Sequence, residues 1–294
     1  MKVLVTGSSG MLAQAVSSEF RQRGHEVVAL DHSTLDVTDR GEVASALGAN
    51  RPDVVVQCAA YTDVDGAEAQ PELAGAVNGR GAANVAAVCQ EIGALFVYPS
   101  TDYVFPGDSE RPWRPADEPD PVNAYGASKL IGERAALAID SSLVVRTSWL
   151  YGAGGKNFVD TIARLARERD RLEVVDDQIG RPTWTGSLAQ VIAKLVESGR
   201  RGIFHASDGG AYVSWFALAA EILHIEALSV PLFPVGTEAA GRPAKRPRYS
   251  VLDCTETERA VGEPMQDWRA VLRAYLGRSG AGRLSPGGSM AKEG

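Results

Sequence analysis

Tyr125 and Lys129 stand four residues apart in PVNAYGASKLIGERAAL, a segment with helical spacing. On a helix that interval puts both side chains on one face, one turn apart. An ammonium fixed beside a phenol favours phenolate and draws a group with a reference pKa of about 10 toward neutrality. Such a pair can pass a proton to or from a reacting oxygen. The same spacing also arises on solvated helix faces, so the pair needs partners. Thr101 and Asp102, in the stretch STDYVF, are candidates. A threonine hydroxyl can donate to a carbonyl oxygen while the tyrosine transfers its proton. Alone, Thr101 reads equally as a cap and Asp102 as a turn acid.

These residues need a scaffold that brings them to one place. Lys2–Thr6 is a short β-branched run ending in Gly7-Ser8-Ser9-Gly10, and Met11–Gln22 has helical periodicity. Glu26–Leu30 is a second apolar run that closes on Asp31. Strand, glycine-rich turn, helix and strand open a parallel βαβ unit. Further strands are expected at residues 53–57, 94–98 and 143–147, with helices over 39–47 and 71–92 between them. The pattern predicts an α/β fold with a Rossmann-type, doubly wound parallel sheet. In such a sheet the residues following strands three and four lie on the ligand side, which groups Ala59, Ala60 and Tyr61 with Thr101.

Gly7 and Gly10 on the first strand–helix turn would let backbone amides approach a pyrophosphate at a helix N-terminus. Asp31, about 20 residues on, can accept from an adenosine ribose or simply close a turn. Asp31 favours NADH, whereas His32 or Arg40 could reach a 2′-phosphate, so NADPH and NADH both stay open.

The 294 residues carry a net charge of −7, which argues against broad binding to nucleic acid or anionic membranes. Cys58, Cys89 and Cys254 make an odd set without a Cys-x-x-Cys motif and read as buried thiols in a reducing compartment. No apolar run reaches membrane-spanning length, and a cytoplasmic location is expected.

TGSSGMLA, CAAYTDVDGAE, STDYVFPG, NAYGASKLIGE, RTSWLYG, KNFVDTIARLARERDRLEVVDDQIGRPT and a late RPRYSVLDC together resemble the dTDP-4-dehydrorhamnose reductase family, within the extended short-chain dehydrogenase/reductases. The similarity runs in order from Lys2 to about Leu276. It implies reduction of a dTDP-4-keto-6-deoxysugar to dTDP-L-rhamnose with NADPH or NADH and without a metal. It also implies roles: Tyr125 as proton donor, Lys129 on the nicotinamide ribose, lowering the tyrosine pKa, and Thr101 polarising the C4 carbonyl. Gly7, Gly10, Met11 and Leu12 would line the pyrophosphate turn, Asp31 meet the ribose, and Asp36 and Val37 flank the adenine. Ala59, Ala60 and Tyr61 would line the nicotinamide side. Thr101, Asp102, Trp149, Asn157, Gln178 and Arg246 would contact the sugar nucleotide, with a helix-cap role as the alternative for Asn157.

The expected domains are a nucleotide-binding domain over residues 1–148 and a smaller α/β substrate domain over 149–276. Segments near 172–204 and 235–254 are expected to return to the first domain, and 277–294 to form a disordered tail. Ala13 stands where a third glycine is usual, and nothing in the sequence accounts for Pro99 ahead of Ser100. Gln14 and Ala15 replace the acidic first-helix face that links some family dimers through a metal, which leaves a homodimer open. Three other readings are weighed: a 4-ketoreductase for another dTDP-deoxysugar, a non-catalytic regulatory subunit of methionine adenosyltransferase, and an epimerase that retains NAD.

Overall fold

The computed structural model describes residues 1–282. Chain order begins β1 (Lys2–Thr6), α1 (Met11–Gln22), β2 (Glu26–Leu30), α2 (Arg40–Asn50) and β3 (Val54–Gln57). The region expected as one helix over 71–92 is composite. Short helices α3 (Val64–Ala69) and α4 (Pro71–Ala74) lead through a wider π turn, Gly75–Arg80, into α5 (Gly81–Ile92). β4 (Leu95–Thr101), α6 (Ala124–Leu137) and β5 (Ser142–Thr147) complete the first half.

Six strands form one parallel sheet in the order β2–β1–β3–β4–β5–β10, where β10 is Gly202–His205. The chain winds outward from β1 to β2 and then crosses back to β3. The order therefore reverses between β1 and β3, which opens a crevice at their carboxyl ends. Alternation along the strands feeds two cores. Val3, Val5, Val54, Val56 and Val97 pack with α1 and with a helix over Thr185–Glu197. Leu4, Val55, Phe96 and Tyr98 pack with α2, α5 and α6. With both faces covered, the strands are near-continuous apolar runs.

β4 is longer than its expected 94–98 and carries Thr101 as its last residue. Its pairing with β3 stops at Val97, whereas its pairing with β5 continues to Thr101. The proline at 99 thus stands beyond the end of the β3 ladder, where a missing N–H breaks no strand bond.

Beyond β5 come β6 (Leu150–Tyr151), α7 (Phe158–Glu168), β7 (Leu172–Val175), β8 (Ile179–Gly180), β9 (Thr183–Trp184) and α8 (Thr185–Glu197). After β10 follow β11 (Val213–Ser214), α9 (Trp215–Ile225), β12 (Leu232–Val235), α10 (Thr255–Val261) and α11 (Trp268–Gly282). A third core gathers α7, α9, α11, β7 and β12 around the buried Trp268 and Leu272.

α8 packs beside α1, and β10 joins the sheet next to β5. β7 does not, since its partner is β12. Residues 277–282 continue α11 instead of opening a tail, and 283–294 lie outside the described residues. Among the described residues no helix is long and apolar enough to cross a membrane.

Candidate active site

The crevice at the β1/β3 switch is a groove of about 500 Å³. Gly7, Gly10, Met11 and Leu12 line one end, with His32, Asp36 and Val37 beside them. Ala59, Ala60 and Tyr61 line the middle, and Tyr125 and Lys129 the other end. Gly7 has φ +66°, and a Cβ there would stand 2.6 Å from the Ala59 backbone nitrogen. Only glycine permits the β1 turn and the β3 loop to approach this closely. Gly10 begins α1 with no side chain capping its first turn, so amides remain open toward the groove. A cradle filled by no side chain, ending in uncapped amides, fits a dinucleotide pyrophosphate.

The adenosine end differs in detail from expectation. Asp31 does not line the groove. Its Oδ1 accepts from the Ser33 amide and hydroxyl at 3.0 and 2.7 Å and from the Thr34 amide and hydroxyl at 3.2 and 3.1 Å. These bonds hold its carboxyl below the usual carboxylate range. Asp36 accepts from the Thr38 amide and hydroxyl, at 2.8 Å each, and stays at the groove.

At the reacting end, Asn123 caps α6 by accepting from the Gly126 amide at 2.7 Å, which fixes the start of the Tyr125 helix. Thr101 Oγ1 donates to Asp102 Oδ1 at 3.0 Å. Burial lifts the Tyr125 phenol to about 12, the Asp102 charge adds to this, and hydrogen bonding with Thr101 opposes both. Burial likewise lifts Asp102 to about 7.

Lys129 does not lower the phenol as its spacing suggests. Its Nζ donates to the carbonyl of Pro99 at 2.7 Å and lies 4.0 Å from the centre of the Tyr98 ring. Stripped of solvent, this ammonium falls to about 7. The ammonium is engaged by β4, and burial dominates the phenol.

Several residues expected at the sugar nucleotide have other partners. Asn157 Oδ1 accepts from the Asp160 amide at 2.9 Å, and its Nδ2 donates to the Gly152 carbonyl at 2.9 Å, so the helix-cap alternative describes it. Gln178 is buried and donates to Thr237 Oγ1 at 2.9 Å. Arg246 grips both oxygens of Asp65, each at 2.9 Å. None of the three lines the groove. Trp149 takes φ +48°, rare for a bulky residue, and stacks on Trp215 at 3.6 Å between ring centres.

Asn78, in the π turn, is absent from any motif that pointed to the site. Its side chain accepts from the Tyr61 amide at 2.8 Å and donates to the Tyr61 carbonyl and to Ser128 Oγ, both at 2.9 Å. It thereby joins the β3 loop to the Tyr125 helix. A π turn in the long helix would have been the signal, and periodicity cannot register one.

A dinucleotide groove over a topological switch, closing on a tyrosine and a lysine one turn apart, is the arrangement of the extended short-chain dehydrogenase/reductases. The protein is an NAD(P)H-dependent oxidoreductase of that class. The RmlD substrate binding domain family matches residues 1–280. A dTDP-4-dehydrorhamnose reductase of Streptomyces griseus is 46% identical over 97% of this chain and 96% of its own length. A dTDP-4-keto-6-deoxy-D-glucose reductase of Streptomyces niveus is 40% identical over 92% of this chain and 94% of its own. The crystal structure of dTDP-4-dehydrorhamnose reductase from Bacillus anthracis in complex with NADP superimposes with a TM-score of 0.91 at 38% identity, covering 94% of this chain and 99% of that one. The chain belongs to the dTDP-4-dehydrorhamnose reductase family.

Proposed function

We propose that this protein reduces the 4-keto group of a dTDP-4-keto-6-deoxyhexose, and that the substrate is dTDP-4-dehydrorhamnose (dTDP-6-deoxy-L-lyxo-4-hexulose), giving dTDP-L-rhamnose. The observation that carries the reading is a dinucleotide groove that closes on the Tyr125 phenol and on Lys129. NADPH or NADH supplies the hydride when bound. Gly7, Gly10, Met11 and Leu12 would hold its pyrophosphate, Asp36 and Val37 its adenine, and Ala59, Ala60 and Tyr61 its nicotinamide side. Lys129 would exchange the Pro99 carbonyl for a ribose hydroxyl.

The remaining steps are assigned to the protein's own groups. With its phenol lifted to about 12, Tyr125 carries its proton at neutral pH and can give it to the oxygen that becomes the product hydroxyl. Thr101 can turn its O–H from Asp102 to the same oxygen, where negative charge develops. Asp102 and Trp149 are assigned to the sugar. Every residue in this scheme comes from one copy of the chain. A cytoplasmic setting agrees with three unpaired cysteines.

A second reading, reduction of another dTDP-4-keto-6-deoxysugar, is favoured by the 40% identity to the Streptomyces niveus enzyme. Catalytic residues do not separate the two, because product stereochemistry depends on how the sugar is turned. The regulatory-subunit reading finds no support: Tyr125, Lys129 and Thr101 are all retained. The deciding experiment follows oxidation of NADPH and NADH with dTDP-6-deoxy-L-lyxo-4-hexulose and identifies the product sugar. No turnover of that substrate, with turnover of a C3 or C5 epimer, would replace the first reading by the second.

A further inference from the structure

Tyr125, Lys129 and Glu133 recur at intervals of four along α6 and so lie on one helix face. Lys129 and Glu133 are both buried, at 4% and 1% exposure. Glu133 is bound in both its oxygens by Arg146 of β5, Nε at 2.9 Å and Nη2 at 2.7 Å. Arg146 is itself 2% exposed and donates through Nη1 to the Pro115 carbonyl at 3.2 Å. A buried ion pair is a weak source of stability, since well-packed apolar residues often serve as well. This one stands one turn beyond a lysine of the reacting end.

We propose that Glu133 is a positioning residue for the reduction. Its carboxylate, fixed by Arg146, keeps the buried Lys129 as an ammonium and holds it at the groove. The inference rests on the reading of Lys129 given above. The groups facing Lys129 can be named element by element. From β4 come the Tyr98 ring and the Pro99 carbonyl, which favour a cation without carrying a charge of their own. From the β3 end comes the Cys58 thiol, whose own burial keeps it protonated. From α6 come Tyr125, a neutral phenol, and Glu133. Glu133 is thus the one carboxylate among these groups, and its attraction opposes the desolvation of Lys129. Arg146 of β5 fixes the Glu133 carboxylate through a bidentate fork.

The test follows the Lys129 ionisation itself, in protein labelled with ¹³Cε-lysine and without substrate. Its resonance is identified by its absence in Lys129→Met. In wild type the midpoint is expected near 7. Glu133→Gln should lower it by about one pH unit. Since that change strands Arg146, the joint replacement Glu133→Met with Arg146→Met, which keeps apolar packing, provides a second folded variant with the same direction of change. The basic limb of the kcat/KM profile for the dinucleotide should move with the midpoint, while KM for the dinucleotide at pH 6 stays close to wild type. A midpoint unchanged in a folded variant would overturn the proposal, as would a shifted midpoint with an unshifted kcat/KM limb in an active enzyme. A shifted midpoint in a protein that reduces no 4-keto sugar supports the hold on Lys129 and removes instead the assigned reaction.

Discussion

Lys129 donates to the carbonyl of Pro99 at 2.7 Å while its ammonium rests on the face of Tyr98. The strand that ends in Thr101 therefore also supplies the lysine's cradle, and one element sets both reacting groups. The Tyr98 hydroxyl is fixed in turn by the Asn78 carbonyl at 3.0 Å. Tyr98→Phe keeps the ring face and should leave dinucleotide affinity within about threefold of wild type, whereas Tyr98→Leu should weaken it by about tenfold through loss of the cation–ring contact. Fluorescence titration with NADH and NADPH reads both; equal losses in the two variants would assign the effect to the hydroxyl instead.

Tyr125→Phe removes the transferable proton and little volume. Turnover should fall by a factor of about 10² or more. Cofactor binding and melting temperature should stay near wild type. Single-turnover kinetics with retained binding is the check, and near-normal reduction would eliminate the assigned acid.

Two glycines with positive φ should respond differently to alanine. Gly24 has φ +81° and nothing within 4 Å of an added Cβ, so Gly24→Ala should cost only the backbone term, about 1 kcal/mol. Gly7→Ala adds a 2.6 Å clash with the Ala59 backbone to a similar φ. It should abolish dinucleotide binding or the fold. Calorimetry of both variants, with a binding titration for Gly7→Ala, distinguishes the backbone term from the clash.

Arg246 separates a structural from a substrate role. Its bidentate bond to Asp65 ties α3 to the late loop, and the Lys245 carbonyl in the same loop accepts from Asn123 Nδ2 at 2.8 Å. If this is its whole role, Arg246→Gln and Asp65→Asn should destabilise alike, by about 1–3 kcal/mol, with similar effects on KM. A KM for the sugar nucleotide that rises only in the arginine variant would restore the anion contact expected from sequence.

Asp208 gives a pH dependence of definite sign. It is buried, accepts from the Trp184 amide at 2.9 Å, and is lifted by burial to about 7. Its ordinary unfolded value is about 3.9, so between those pH values the folded chain holds a proton that the unfolded chain releases. Its contribution to stability is present below about 4 and is lost as pH rises through about 7. Asp208→Asn should therefore gain on wild type by roughly 2 kcal/mol more at pH 8 than at pH 5. Denaturant unfolding at the two pH values measures this; a constant difference between the proteins would remove Asp208 as the source.

The local order of the chain was decided by sequence. β-branched runs between helical patterns specify a parallel sheet, and Gly7 to Gly10 after the first strand places a nucleotide turn. The interval from Tyr125 to Lys129 selects one helix face, and motif similarity assigned the family. These are short-range properties of periodicity and turn chemistry, legible without coordinates. Tertiary structure decided what each polar group meets. Asp31 turned to its own loop, Asn157 to a helix cap, Arg246 to Asp65 and Lys129 to Pro99. It also lifted the Tyr125 phenol upward, against the spacing argument. Burial and hydrogen-bond partners come from residues distant in sequence, and in a low-dielectric interior they outweigh the intrinsic preference of a side chain. For the same reason Glu133, unremarked in a helix motif, proved to stand one turn beyond the lysine, held in place by an arginine 13 residues away.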